Sequence, residues 1–331
     1  MPMEREAGGA AGPLNIDFAP MEGVTGWLFR QAHRHWFSGV DRYFMPFLSP
    51  RQEHAFTRRE ASDFLPEHNR GLYAVPQLLT RSADDFLWAA GVLADLGYRE
   101  VNLNLGCPSG TVVAKGKGSG LLGRREELER LLDGIYARAG IPVSIKTRLG
   151  LRDPEEFFPL LELFNRYPVC ELIIHPRVQK DFYRGAARWE WFELALGASK
   201  NPLCYNGDLL TAADCRALES RAPGLEAAML GRGLVASPDL IARQKGGPAL
   251  DKESLRTFHD QLYHGYCAAF GSERNAMLRM KEVWFYLIHR FRGGERHARQ
   301  LRKAADPRVY EAQVASIFRD LELREEAEQG W

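Results

Sequence analysis

The chain has 331 residues, 45% of them hydrophobic and 26% charged, with 31 Gly and 18 Pro. That balance suits a globular protein rich in turns and excludes disorder over most of its length. Forty-four Lys and Arg against 43 Asp and Glu leave a net charge of +1, so a nucleic-acid partner must be served by local patterning, not by the chain as a whole.

Five cysteines (Cys107, Cys170, Cys204, Cys215, Cys267) without a CxxC argue against a disulfide framework and against a zinc site. No run reaches the roughly 18 consecutive apolar residues of a membrane span, and the N-terminus lacks an apolar or Arg-rich leader pattern. The expectation is a reducing, cytoplasmic setting, with neither membrane nor metal.

Residues 1–12 read as a flexible tail. From residue 13 short apolar runs recur about every 30 residues, separated by helical periodicity, as consecutive βα units require. The strand candidates are Ile16 to Ala19, Tyr43 to Leu48, Leu72 to Leu78, Val101 to Leu105, Val143 to Lys146, Leu172 to His175, Leu203 to Tyr205 and Ala227 to Leu230. Helices are predicted over Ser82 to Leu96, with Ser82 as cap, and over Arg124 to Ala139, charged on one face and Leu-rich on the other.

Eight such units suit a closed parallel (β/α)8 TIM barrel over 13–245; an open doubly wound sheet would also alternate. The strand ends favour the barrel. Pro20-Met21, Gln77, Asn104 to Cys107, Lys146, His175, Asn206 to Asp208 and Gly231 to Gly233 all follow or close a run. In a barrel these ends meet at one face, where active sites are built.

After the Gly246-Gly247-Pro248 break the periodicity is purely helical, which predicts a smaller all-helical domain over 246–331. Between Arg274 and Arg308 lie ten Lys or Arg against three acids, interleaved with Trp284, Phe285, Tyr286 and Phe291. The bland reading is a bundle helix with a solvated basic face.

Cys107 ends a strand and enters a loop with Gly at 116, 118 and 120. A lone cysteine is commonly a structural core residue, but this setting predicts a mobile, accessible loop. A thiol with an ordinary pKa of about 8.5 is mostly protonated at neutral pH and can donate a proton without further activation.

Taken together, Ala19-Pro-Met21, Gln77, Asn104-Leu-Gly-Cys-Pro108, Lys146-Thr-Arg-Leu-Gly150, His175-Pro-Arg177, Asn206-Gly-Asp208 and Gly231-Arg-Gly233 resemble the tRNA-dihydrouridine synthase family, in order and in spacing, over about residues 14 to 235. The family more often has His-Gly-Arg where this chain has His175-Pro176-Arg177. The resemblance implies an enzyme that reduces uridine in the tRNA D-loop, with FMN tightly bound and NADPH as a transient reductant. It implies Cys107 as the proton donor to C5, opposite hydride delivery to C6.

It further implies Pro20, Met21 and Glu22 at the flavin edge, Gln77 on the isoalloxazine and Lys146 at its N1/O2 side. Asn206, Gly207, Asp208, Gly231 and Arg232 would hold the phosphate. His175 would contact flavin or substrate, with Arg177 and Asn104 toward the uracil. No GxGxxG follows the first strand, consistent with a reductant that visits without a domain of its own. In this setting Arg296, Arg299 and Arg302 become candidate tRNA contacts, and a monomer is expected. The alternatives are the same reaction on ribosomal RNA, a dihydroorotate dehydrogenase-like enzyme acting on a free pyrimidine, or a catalytically silent RNA-binding barrel.

Overall fold

The computed structural model describes residues 14–328. The expected tail, residues 1–12, lies outside them. Nine parallel segments form one sheet: β1 (Asn15–Phe18), β2 (Arg42–Phe44), β3 (Ala74–Val75), β4 (Gln77–Leu78), β5 (Val101–Leu105), β6 (Val143–Arg148), β7 (Leu172–His175), β8 (Leu203–Tyr205) and β9 (Ala227–Leu230). Their order is β3-β2-β1-β9-β8-β7-β6-β5-β4.

The two ends of that order, β3 and β4, are halves of one predicted run, divided at Pro76, so the sheet closes into an eight-unit barrel. Proline has no N–H for the ladder and interrupts it, while the Pro76 carbonyl still accepts the Asn102 N–H. Pro46 shortens the second predicted strand in the same way, and beyond it only Leu48 bridges Leu78.

Side chains alternate across each strand. On β5 and β6, Val101, Leu103, Leu105, Val143 and Ile145 face the surrounding helices and join the main core. Asn102, Asn104, Ser144, Lys146 and Arg148 take the opposite face, inside the barrel. The predicted helices fall at Ala83–Asp95, where Ser82 Oγ accepts from Asp85 N at 3.2 Å, and at Arg125–Tyr136. The second buries Leu128, Leu131, Leu132 and Ile135 against the barrel, each such side chain contributing about 1.5–3 kcal/mol.

Beyond Gly247 the chain forms the helices Lys252–Phe270, Glu273–Leu287, Glu295–Lys303 and Pro307–Asp320. They dock on the barrel's helical shell. Phe258 meets Phe29 and Phe37 edge-on at 6.1 and 5.2 Å, and the same hydrophobic core continues into them. Among the described residues no helix is long and apolar enough to cross a membrane.

Candidate active site

The strand ends enclose a cavity of about 280 Å³ at the barrel mouth. Pro20, Met21, Glu22, Gln77, Asn104, Cys107, Lys146, His175, Asn206, Gly207, Gly231 and Arg232 all line it. Arg148, Tyr183, Glu282 and Tyr286 line it as well, and sequence reasoning missed them. Arg148 was recoverable, because it follows Lys146 by two on the same strand and so shares its face. Tyr183 and Tyr286 arrive from a loop and from the helix Glu273–Leu287, brought in by tertiary docking.

The expectation of a mobile loop at Cys107 is corrected. Asn104 Oδ1 accepts from the backbone N–H groups of Gly106 and Cys107 at 3.1 and 2.9 Å, and Ser119 Oγ donates to the Cys107 carbonyl at 2.8 Å. Arg148 Nε donates to the Gly106 carbonyl at 2.9 Å, and its NH1 ties the loop to Val178 and Phe182. Gly118, at φ +56°, passes so close that a Cβ would lie 3.0 Å from the Cys107 carbonyl oxygen. The thiol is therefore held, half-buried, at the cavity wall. Burial pushes its pKa up, outweighing the neighbouring Arg148 and Lys146 charges, and keeps it protonated at neutral pH.

Lys146 stands opposite Asn104 in the β5–β6 register. Among the described residues its ammonium has no hydrogen-bond or ion-pair partner. Burial, and behind it the charge of Arg148, pull its pKa down to about 8. An unpartnered cation inside a protein is costly unless a ligand supplies the counter-charge.

His175 is neutral, its pKa driven well down by burial and by the Arg148, Lys146 and Arg177 charges. Its Nδ1 lies 2.7 Å from the Asn206 carbonyl and its Nε2 3.2 Å from Arg177 NH1. The guanidinium can only donate, so Nε2 accepts and Nδ1 carries the proton. Both ring nitrogens are thus engaged within the protein, which leaves His175 a wall of the cavity and not a proton donor.

Arg177 and Asp208 do not line the cavity. Arg177 is 1% exposed and donates to both carboxylate oxygens of Asp208, at 2.9 and 2.6 Å. Arg232 NH2 donates to the same carboxylate at 2.8 Å, and the Ala187 N–H donates to it at 3.0 Å. Burial alone would raise the Asp208 pKa, but these donors hold it below the usual carboxylate value. A carboxylate so placed would repel a phosphate. Its geometry orients Arg232, and that of Arg177 braces His175. At Gly207 a Cβ would sit 2.0 Å from Tyr205 Oη, so only glycine leaves room there.

Arg296, Arg299 and Arg302 lie on the helix Glu295–Lys303, exposed and away from the cavity. Among the described residues none has an acidic partner. The rest of the basic stretch is less uniform than its sequence implies. Arg290 is fully buried on Asp239, Lys281 donates to the carbonyls of Arg302 and Ala304, and Arg279 donates to that of Gly23. Trp284 and Phe291 are core, whereas Phe285 is exposed. Beside it runs a groove of about 820 Å³ lined by Leu278, Phe285, Arg299 and Arg302, which shares Glu282 with the barrel-mouth cavity.

At the floor of the barrel Asp17, Glu171 and Cys204 converge. Arg42 bridges both carboxylates there, each at 2.6 Å, so a guanidinium supplies the local positive charge.

The match to known proteins follows this geometry. Residues 17–326 match the dihydrouridine synthase family. The chain belongs to that family. It is 32% identical to a probable tRNA-dihydrouridine synthase of Staphylococcus epidermidis over 66% of this chain and 68% of the relative. It is 28% identical to a probable tRNA-dihydrouridine synthase of Rhodobacter capsulatus over 77% and 80%. Among solved structures, morphinone reductase in complex with tetrahydroNAD, as a point variant, superposes with a TM-score of 0.52 at 14% identity, over 73% of this chain and 90% of that one. At that identity the likeness speaks for the barrel fold alone.

Proposed function

We propose that this dihydrouridine synthase family member reduces uridine to 5,6-dihydrouridine in the D-loop of tRNA, with bound FMN, NADPH as reductant and Cys107 as proton donor. The observation that carries this reading is one cavity lined by the Cys107 thiol, just beyond β5, and by the Lys146 ammonium, on the adjacent β6 and without a partner among the described residues.

The residues present fit a flavin mononucleotide. Lys146 offers the charge that an N1/O2 edge calls for, Gln77 an amide, and Met21 an apolar edge. Asn206, Gly207, Gly231 and Arg232 form a polar end of the cavity suited to a phosphate. When bound and reduced, the flavin supplies a hydride to uracil C6.

The chain's own residues do the rest. Cys107 gives its proton to C5, completing the saturation of the C5=C6 bond, and the thiolate left behind lies near the Arg148 and Lys146 charges. Neutral His175 and the Cys107 loop wall the site. Such chemistry requires an unstacked base, and extrusion costs a few kcal/mol, least in a loop. Arg296, Arg299 and Arg302, without acidic partners among the described residues, provide phosphate contacts for the flanking RNA, Arg299 and Arg302 from the wall of the groove that shares Glu282 with the cavity.

The test is mass spectrometry of nucleosides from unmodified tRNA incubated with the purified protein and NADPH, beside a Cys107→Ala control. Dihydrouridine from the wild type, largely lost in the variant, supports both reaction and acid. No dihydrouridine from a yellow protein that oxidises NADPH would move the substrate to ribosomal RNA or a free pyrimidine.

A further inference from the structure

The inward faces of β4, β5 and β6 carry a continuous line of hydrogen bonds from the cavity to the barrel floor. Asn104 Nδ2 donates to Gln77 Oε1 at 2.7 Å, Gln77 Nε2 to Asn102 Oδ1 at 2.8 Å, and Asn102 Nδ2 to Ser144 Oγ at 2.8 Å. The Ser144 hydroxyl then donates to Glu100, whose other oxygen faces Arg42 at 3.4 Å. Gln77, Asn102 and Ser144 are at most 1% exposed.

The sense of this line is fixed at both ends. At the mouth, Asn104 Oδ1 takes two backbone N–H groups, which cannot accept. At the floor, the Glu100 carboxyl receives the hydroxyl hydrogen. Turning over any amide in between would set two N–H groups head to head in the interior, where an unsatisfied donor is most costly. Asn104 Nδ2 and Gln77 Nε2 each keep a second hydrogen, with no acceptor among the described residues, and both residues line the cavity.

We propose that Ser144, backed by Glu100, is a positioning residue: through Asn102 and Gln77 it fixes the Asn104 amide, and so both seats Cys107 and makes Asn104 present an N–H donor to a carbonyl oxygen of the pyrimidine. The second half rests on the uridine reading above; the first does not. Ser144 touches neither cavity nor thiol, and acts entirely through the line.

The test compares Ser144→Ala, Ser144→Cys and Ser144→Thr with the wild type as flavin-bound proteins. Cys is nearly isosteric but a weak hydrogen bonder, and Thr keeps the hydroxyl. Four quantities are measured: dihydrouridine formation from the pre-reduced protein over a range of tRNA concentrations, flavin bleaching by NADPH, the pH profile of iodoacetamide labelling at Cys107 read by peptide mass, and the melting temperature.

A misplaced acid lowers turnover more than binding, so kcat is expected to fall about tenfold in the Ala variant and less in the Cys variant, with KM within about twofold. Bleaching stays near the wild-type rate, the labelling profile shifts, and Thr restores both kcat and profile. Equal loss in Ala and Thr variants, or bleaching and turnover falling together with the melting temperature, would mean a merely structural serine and overturn the proposal. Unchanged kcat and labelling in both the Ala and Cys variants would overturn it too. If the wild type forms no dihydrouridine, the functional reading fails, yet the labelling profiles still decide whether Ser144 seats Cys107.

Discussion

Replacing Asp208 by Ala is expected to expose how the Arg232 end of the cavity is built. Arg177 is 1% exposed, and its two hydrogen bonds to Asp208, at 2.9 and 2.6 Å, supply its only counter-charge among the described residues. Its other partners, the Gly185 carbonyl and neutral His175 Nε2, carry no charge, and its Nε has no partner even in the intact protein. Breaking a buried pair by removing one partner costs about 3–5 kcal/mol. Because the Asp208 side chain is 25% exposed and water can enter the gap, the lower end applies, about 3 kcal/mol. That corresponds to a melting temperature lowered by roughly 4 °C in a chain of 331 residues.

Asp208→Asn should lie between, since it keeps shape and one acceptor but turns an NH2 toward a guanidinium. Adding Arg177→Met to the Ala variant should recover part of the loss by removing the stranded charge. Urea unfolding of the four proteins measures this, with flavin content read in parallel, because Arg232 loses its 2.8 Å partner as well. A loss below about 1 kcal/mol in the Ala variant, or a double variant less stable than the single one, would refute the reasoning.

Lys146, with its pKa lowered to about 8, is charged below that pH and neutral above it, so FMN binding to the flavin-free protein should weaken as pH rises through about 8. Lys146→Met should flatten that dependence and weaken binding about tenfold or more at neutral pH, as loss of a charged hydrogen bond does; fluorescence titration across pH checks both. Charge reversal at Arg296, Arg299 and Arg302 should weaken tRNA binding and make it less salt-dependent, the log–log slope falling by about 0.7–0.9 for each phosphate no longer neutralised, while NADPH-driven flavin bleaching is unchanged. Filter binding over a salt series decides it, and an unaltered slope would remove these arginines from the interface. At the barrel floor, burial and the Asp17 charge hold the Glu171 pKa above the usual carboxylate value. A carboxyl raised above its unfolded value destabilises progressively as pH climbs from the unfolded to the folded pKa, so the stability of Glu171→Gln relative to wild type should grow as pH rises above the ordinary carboxylate range in urea unfolding.

The barrel was legible because each strand run ends in a polar or glycine signal and only a closed barrel brings all those ends together. Cys107 and Lys146 were legible for the same reason. What the residues could not disclose is who pairs with whom. Asp208 and Arg177 both looked like ligand contacts, yet opposite charges on neighbouring strand-end loops satisfy each other, and His175 is drawn into the same cluster. Arg290 counted toward a basic face, although its partner Asp239 lies fifty-one positions away and draws it inside. The prolines at 46 and 76 were visible, but a reading by apolar runs passes straight through them. Tyr286 reaches the cavity only because a C-terminal helix docks beside the mouth, which no local pattern encodes.

The division of labour in the cavity follows from which groups are already engaged. Three cations line it, but Arg232 is bound to Asp208 and Arg148 to three backbone carbonyls. Lys146 alone of the three has no acceptor among the described residues, so it is the charge free to answer negative charge arriving with a ligand. Of the groups in the lining that could transfer a proton, His175 has both nitrogens engaged and is held neutral. The Cys107 thiol is raised in pKa and keeps its proton. On the proposed reading, the uncommitted Lys146 cation on β6 and the Cys107 thiol just beyond the paired β5 suit a cavity that takes up a flavin and protonates an unsaturated carbon. The histidine serves as fixed wall, which separates this cavity from one built for general-base chemistry, where the imidazole would have to be free.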